Sequence, residues 1–167
     1  DYATSSDRSD FLDVYLVSKC EFMLSTSSGL FELAILFRKP RLIVNYFNIR
    51  GLEYYPLDLM IMLKKIKNLR TNEYVSFEEV YKKKLHNIDF ENEINNLGYE
   101  IIENSEHEIK RATENFLHLI DNGFEISSIL KNQKKFWQNI EKYYGYKNKN
   151  KTIVCPDFYS NNIDLFE

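Results

Sequence analysis

An α/β fold built on a parallel sheet is what this sequence predicts, and three observations carry the prediction. Phe22-Met23-Leu24-Ser25 is a short apolar run that stops at a turn of small residues, Thr26-Ser27-Ser28-Gly29. Leu30 to Phe37 is apolar on nearly every side apart from Glu32. It ends at Arg38-Lys39-Pro40, where cations suit a helix C-terminus and proline stops propagation. Leu42-Ile43-Val44 then gives a continuous, β-branched apolar run, the pattern of a strand covered on both faces. Strand, loop, helix and strand within about 25 residues make a βαβ crossover.

One domain with its own core fits in 167 residues, and two do not. A hydrophobic fraction of 44%, with charge spread along the chain, describes a folded globular protein rather than a disordered one. The net charge of -3 lacks the basic balance that accompanies nucleic-acid or anionic-membrane binding, so no nucleic-acid partner is expected. Cys20 and Cys155 stand far apart, without the spacing of a zinc site or a disulfide framework, which points to a reducing compartment. Neither an apolar run of about 18 residues nor a signal peptide is visible, so no integral membrane segment is expected. The expected location is the cytoplasm, including the inner face of the membrane. The chain opens at Asp1-Tyr2-Ala3 and reaches its strongest motif by Gly29, as the C-terminal piece of a longer protein would.

The remaining elements follow from caps and periodicity. Ser9-Asp10 caps a helix in which Phe11, Leu12, Tyr15 and Leu16 recur at helical spacing as far as Lys19. After Asn45 the pattern loosens from Gly51 to Pro56, and Leu59 to Ile66 is expected as a helix with Lys64, Lys65 and Lys67 toward its end. Ser76-Phe77-Glu78-Glu79 and Ser105-Glu106-His107-Glu108 are capping boxes. The first starts a short helix reaching Leu85. The second starts a longer one with Ile109, Ala112, Phe116 and Ile120 on one face and a stop at Asn122-Gly123. Tyr99 to Glu103 is expected to run extended. A last helix from Ser127 to Tyr144 carries Ile129, Leu130, Phe136, Trp137, Ile140 and Tyr144 on one side. A polar tail rich in Lys and Asn follows it, mobile or docked on structure outside the chain.

The turn at Thr26-Ser27-Ser28-Gly29 carries the chemistry. It joins the carboxyl end of a strand to the N-terminus of a helix, the edge at which open α/β sheets bind ligands. First-turn N–H groups are unpaired there and the helix dipole is positive, so a diphosphate can be held without a basic side chain. Hydroxyls of Thr26, Ser27 and Ser28 add neutral donors, Gly29 lets phosphates approach the backbone, and Glu32 can accept from ribose or sugar hydroxyls. The same residues also read as ordinary turn chemistry with a favourable first-turn acid. Spacing alone supports an anion-binding turn and no more.

Other polar groups read as structural. Asp13 reads as a solvated or capping acid. His86, His107 and His118 are scattered among charged residues as surface side chains, and no metal site is expected. Lys131, Lys134 and Lys135 interleave with Phe136, Trp137 and Tyr143, a mixture that single-stranded nucleic acid can use. Helical spacing instead puts the aromatics largely on a core face and the lysines opposite.

From Thr26 to Pro40, Thr-Ser-Ser-Gly-Leu-Phe-Glu-Leu-Ala-Ile-Leu-Phe-Arg-Lys-Pro resembles the donor-site signature of GT-B glycosyltransferases. In that signature a short polar residue and Ser-Gly open a helix that closes at Gly-x-Pro. More narrowly, Ser9 to Asn45 resembles a bacterial family of GT-B-like polysaccharide glycosyltransferases. A looser likeness runs through Pro56-Leu57-Asp58 and Tyr74 to Glu79 as far as the segment from Gly98 to Ile109. The chain departs from the pattern at Arg38-Lys39, which replaces Gly-x. Heptosyltransferase-like relatives also carry Asp-Ser-Gly and a His where this chain has Ser27-Ser28-Gly29 and Glu32, while nucleotide-sugar epimerases of the same fold carry an acid near Glu32.

The resemblance implies a Rossmann-like, three-layer half of a GT-B fold with a helical C-terminal extension. Residues 1–125 would form the nucleotide-sugar-binding part, its N-terminal portion missing, and 126–167 a C-terminal helix and polar tail. The activity implied is transfer of a sugar from a nucleotide-diphosphate sugar to a glycan or other hydroxyl acceptor, with no cofactor or metal. The N-terminal half of the same protein would supply the general base. Thr26, Ser27, Ser28 and Gly29 would hold the donor diphosphate, and Glu32, Ser9 and Asn45 would face the nucleoside or sugar. Ser9 also reads as a helix cap and Asn45 as a partner for loop backbone. The alternatives are a nucleotide-sugar epimerase of the same fold and a non-catalytic interaction module.

Overall fold

Backbone amides and carbonyls cannot be left unpaired in an interior, so the apolar runs of this chain must enter it as strands or helices. The computed structural model describes residues 2–26, 28–47, 59–88, 91–145, 147–149 and 151–166. Ser27 and the loosened stretch from Gly51 to Pro56 lie outside the described residues. The fold is α/β around a four-stranded parallel sheet.

Helix α1 (Asp10–Lys19) starts where Ser9 caps it, the hydroxyl accepting from the Leu12 N–H at 3.3 Å. Strand β1 (Met23–Ser25), helix α2 (Gly29–Leu36) and strand β2 (Arg41–Tyr46) form the expected βαβ unit, with Met23 opposite Arg41 in a parallel ladder. Arg41 is buried with its guanidinium 5.1 Å from the centre of the Phe31 ring, tying β2 to α2. Helix α2 stops in a Schellman turn. Lys39 N–H donates to Ala34 O at 2.8 Å and Arg38 N–H to Ile35 O at 3.0 Å, with Arg38 at φ 53° in the left-handed region. Arg38 occupies the position at which the resembled signature carries Gly.

Strand β3 (Leu59–Leu63) lies between β2 and β6 (Ile153–Val154), and the sheet runs β1-β2-β3-β6. A helix expected from Leu59 to Ile66 is therefore corrected. A five-residue apolar run has no period that separates helix from strand, and Leu and Met favour helices locally. All five residues are buried, and only a strand inside a parallel sheet accommodates that. After Lys64, β4 (Lys65–Asn68) pairs antiparallel with β5 (Tyr99–Ile102), the segment expected to be extended.

Helices α3 (Phe77–Lys82) and α5 (Glu106–Asp121) begin at the expected serines, and α4 (Glu91–Asn96) leads into β5. Ser105 and Glu108 complete a capping box. At Ser76 the hydroxyl accepts from the Glu79 N–H, while the Glu79 carboxylate pairs with Lys83 one turn on. Ala112, Phe116 and Leu119 bury the inner face of α5. His86, expected at the surface, is instead buried. It sits in the turn after α3, its Nδ1 3.4 Å from Val80 O and its ring 5.4 Å from that of Tyr81.

The single helix expected from Ser127 to Tyr144 is two, α6 (Ser127–Asn132) and α7 (Lys134–Tyr144). The break is Gln133, whose buried amide donates to Val154 O at 2.6 Å and accepts from Val154 N–H at 2.9 Å. It satisfies the side of β6 that faces away from β3. Phe136 and Trp137 face the core, and Lys131, Lys134 and Lys135 are exposed, as helical spacing requires.

The expected polar tail is also corrected. Ile153 and Val154 enter the sheet, α8 (Pro156–Asn161) opens with Pro at its start, and α9 (Ile163–Phe166) packs Phe166 against Phe77, Phe136 and Tyr159. A two-residue strand is too short to show a period, and the Lys and Asn residues before it mask it.

Arg38 gives a direct test of the Schellman turn. Arg38→Gly relieves the Cβ clash of the left-handed conformation and should stabilise the chain by about 1 kcal/mol, net of the flexibility it adds to the unfolded state. The readout is a raised urea midpoint with an unchanged slope.

Candidate functional site

Parallel strands deliver their carboxyl ends to one edge, so Ser25, Tyr46, Leu63 and Val154 open on the same side of the molecule. At β1 the chain turns through Thr26 into α2. Ser28 is the N-cap, extended at φ -147° and ψ 166°, and its hydroxyl makes no capping bond. The Phe31 N–H reaches Ser28 O at 3.1 Å, whereas the Gly29 and Leu30 amides precede any carbonyl of the helix that could accept from them. Thr26, Ser28 and Gly29 are exposed. A Cβ placed on Gly29 meets nothing within 4 Å, so the fold does not itself require glycine there. Just beneath the turn, Ser25 Oγ is buried without a hydrogen-bond partner among the described residues.

Glu32 stands exposed in the first turn of α2. Ser9 precedes α1, which packs on α2, and its hydroxyl is committed to the cap. Asn45 sits in a bulge of β2 at φ 54°, where the register with β3 shifts between Ile43 and Tyr46. Its N–H donates to Asn104 Oδ1 at 2.7 Å, and its own Oδ1 accepts from Asn104 N–H at 2.6 Å. Asn104 Nδ2 then donates to Leu63 O at 2.9 Å. Asn45 thus holds the loop before α5 against β2 and β3, the backbone-satisfying role open to it from sequence. Thr26, Ser28, Gly29, Glu32 and Asn45 lie toward the carboxyl edge of the sheet, at the end of β1, the start of α2 and the end of β2; Ser27 lies outside the described residues.

Further along that edge lie groups the sequence reading did not single out. Lys64 pairs with Glu103 at 2.8 Å, Lys65 with Glu108 at 2.8 Å, and Arg111 with Asp157 at 2.6 Å. Asn115 Oδ1 accepts from the Asp157 N–H at 3.2 Å and from the Cys155 thiol at 3.4 Å. Two signals in the sequence mark these positions: a Lys pair directly after an apolar run, and Pro156 directly after Val154-Cys155. A cavity of about 40 Å³ opens among His107, Glu108, Arg111, Cys155, Asp157 and Phe158. It has room for a few waters and not for a nucleotide sugar.

Burial works against ionisation of Glu108, but hydrogen bonds from Lys65 and from Ser105 outweigh it and hold the carboxyl below its ordinary value. Burial pushes the Cys155 thiol up to about 11, which makes it a poor nucleophile at neutral pH. Among the described residues no group of three or more His, Cys, Asp or Glu could hold a metal ion, and no helix is long and apolar enough to cross a membrane. No protein-family signature matches the chain, and no curated protein or solved structure matches it significantly.

The depressed folded pKa of Glu108 has a defined sign. Its stabilisation is complete above the ordinary value of 4.5 and is lost as pH falls through the lower folded value. Urea midpoints measured between about pH 3 and 7 should therefore fall on the acid side less steeply in Glu108→Gln than in the wild type. Thiol labelling of the native protein should modify half-buried Cys20 readily and Cys155 only on unfolding.

Proposed function

We propose that this chain is the donor-binding half of a GT-B-type glycosyltransferase, with a nucleotide-diphosphate sugar held over the turn from Thr26 to Gly29. The observation that carries the reading is a helix N-terminus at the carboxyl edge of a parallel sheet, with an uncommitted cap hydroxyl and a glycine that the fold does not need. The strand order β1-β2-β3-β6, with β1 at the margin, matches one wing of a doubly wound sheet. In such a sheet the reversal of strand order, and the ligand crevice with it, would fall beside β1.

In the proposed reaction an acceptor hydroxyl oxygen bonds to the anomeric carbon as the bond from that carbon to the β-phosphate oxygen breaks. The electron pair leaves with the diphosphate. The Gly29 and Leu30 amides and the Thr26 and Ser28 hydroxyls stabilise that growing charge, and the acceptor proton goes to a base in a companion N-terminal half. A second reading, a nucleotide-sugar epimerase, rests on Glu32, which stands exposed where a donor sugar would lie.

Calorimetric titration with nucleoside diphosphates tests both. Gly29→Val should fold with a thermal midpoint close to the wild type, because nothing crowds the new side chain, yet bind at least about tenfold more weakly. Ser28→Ala should weaken binding severalfold. A wild type that binds none of them, or a Gly29→Val variant that binds equally well, overturns the donor site and leaves the interaction-module reading. Epimerised sugar from UDP-N-acetylglucosamine without acceptor selects the second reading.

A further inference from the structure

A second concave surface lies far from the turn over β1. Leu130, Lys134, Trp137, Gln138 and Glu141, spaced i, i+4, i+7, i+8 and i+11 along α6 and α7, line a groove of about 260 Å³. Asn148, on the segment that returns toward β6, lines it with them. Both segments are fastened to the sheet. Gln133, at the joint between α6 and α7, bonds both backbone groups of Val154. The Asn148 amide donates to Thr152 O at 2.7 Å and its Oδ1 accepts from Thr152 N–H at 2.9 Å. A groove held in this way has little order left to lose when a ligand enters. Strand β6 stands at the opposite margin of the sheet from β1, so the groove and the turn from Thr26 to Gly29 are separate places.

The polar groups of this groove are largely uncommitted. Among the described residues Lys134 has no acidic partner and the Gln138 amide no hydrogen bond, and both side chains are exposed. Trp137 is 8% exposed, and its buried Nε1–H has no hydrogen-bond partner among the described residues, a cost that a bound acceptor would offset. Glu141 is matched by Lys147 at 3.3 Å. From Ser127 to Lys151 seven lysines stand against one acid, Glu141, in a chain whose net charge is -3, so the local field attracts an anion. The volume is more than a bare phosphate fills and less than the roughly 300–1,000 Å³ of sites for drug-sized molecules. Gln138 Oε1 and the Glu141 carboxylate are acceptors, so the body that carries the anion has to present hydroxyl donors. We propose that this groove binds a sugar bearing a carboxylate or a phosphate, with the anion against Lys134 and the ring hydroxyls toward Gln138 and Glu141. The proposal is independent of the donor site, which uses the other margin of the sheet.

Trp137 is the only tryptophan of the chain, so tryptophan emission reports on this groove directly. Titration with glucuronate and with glucose 6-phosphate should change the emission saturably, with a Kd at or below about 1 mM, and glucose should bind at least about tenfold more weakly. Lys134→Ala should weaken both anions about tenfold and Gln138→Ala severalfold, each with an unchanged circular-dichroism spectrum because both side chains are exposed. Trp137→Phe, followed by calorimetry, should bind them severalfold more weakly. The absence of a saturable change with either anion up to about 10 mM overturns the proposal, and so does a Lys134→Ala variant that binds them as well as the wild type. Inorganic phosphate that binds as tightly as glucose 6-phosphate overturns the role of the sugar. A single-stranded oligonucleotide that binds more tightly than both sugars overturns the ligand class in favour of nucleic acid.

Discussion

Strand β3 has no polar side chain to show to water, and the architecture is arranged to hide it. With all five residues buried, it must be bordered on both edges by strands and covered on both faces. Its neighbours β2 and β6 run parallel to it, so each must be reached by a crossover rather than a hairpin. The polar residues buried around it complete backbone that the sheet leaves unpaired. Asn104 caps Leu63 at the end of β3 while locking Asn45 in the bulge of β2, and Gln133 serves both backbone groups of Val154 on β6. Removing such a partner strands a buried donor or acceptor at a cost of about 1–3 kcal/mol, comparable to losing a substantial part of a core side chain.

The parts of this fold legible in the sequence are those whose signal is local. Ser9, Ser76 and Ser105 cap helices where their side chains and spacing say they should, and the βαβ unit from Met23 to Tyr46 follows from two apolar runs and the breakers between them. Local signals fail where the partner is distant. Leu59–Leu63 is helical by propensity and a strand only because β2 and β6 flank it. Gln133 breaks a helix because its partner lies twenty-one residues on. The turn from Thr26 to Gly29 was legible because one crossover builds it. The cluster joining Lys65, Glu108, Arg111 and Asp157 was not, since three separate segments meet there.

The carboxyl edge therefore has two characters. Over β1 it offers backbone amides and hydroxyls at a helix start, with Gly29 leaving the approach open. Beyond β3 it offers full charges, but Lys64, Lys65 and Arg111 are each matched by a carboxylate at hydrogen-bonding distance, which uses the field that a free anion would need. An anion arriving at this edge meets less competition at the neutral end than at the charged one. Electrostatics of this kind favour binding by fixed dipoles, which need no counter-charge and little reorganisation.

The lateness of β6 has a consequence for how the chain is made. Ile61 and Val154 are partners in the sheet, yet helices α3 to α7 separate them in the sequence. During synthesis β2 and β3 emerge early, and the far edge of β3, apolar on both faces, waits bare until Ile153 and Val154 leave the ribosome. A nascent chain stalled or cut before that point presents a ready template for another strand. The two-residue strand and the glutamine that fastens it thus act as the closing stitch of the sheet, and the interval before they arrive is when this protein would most need a chaperone.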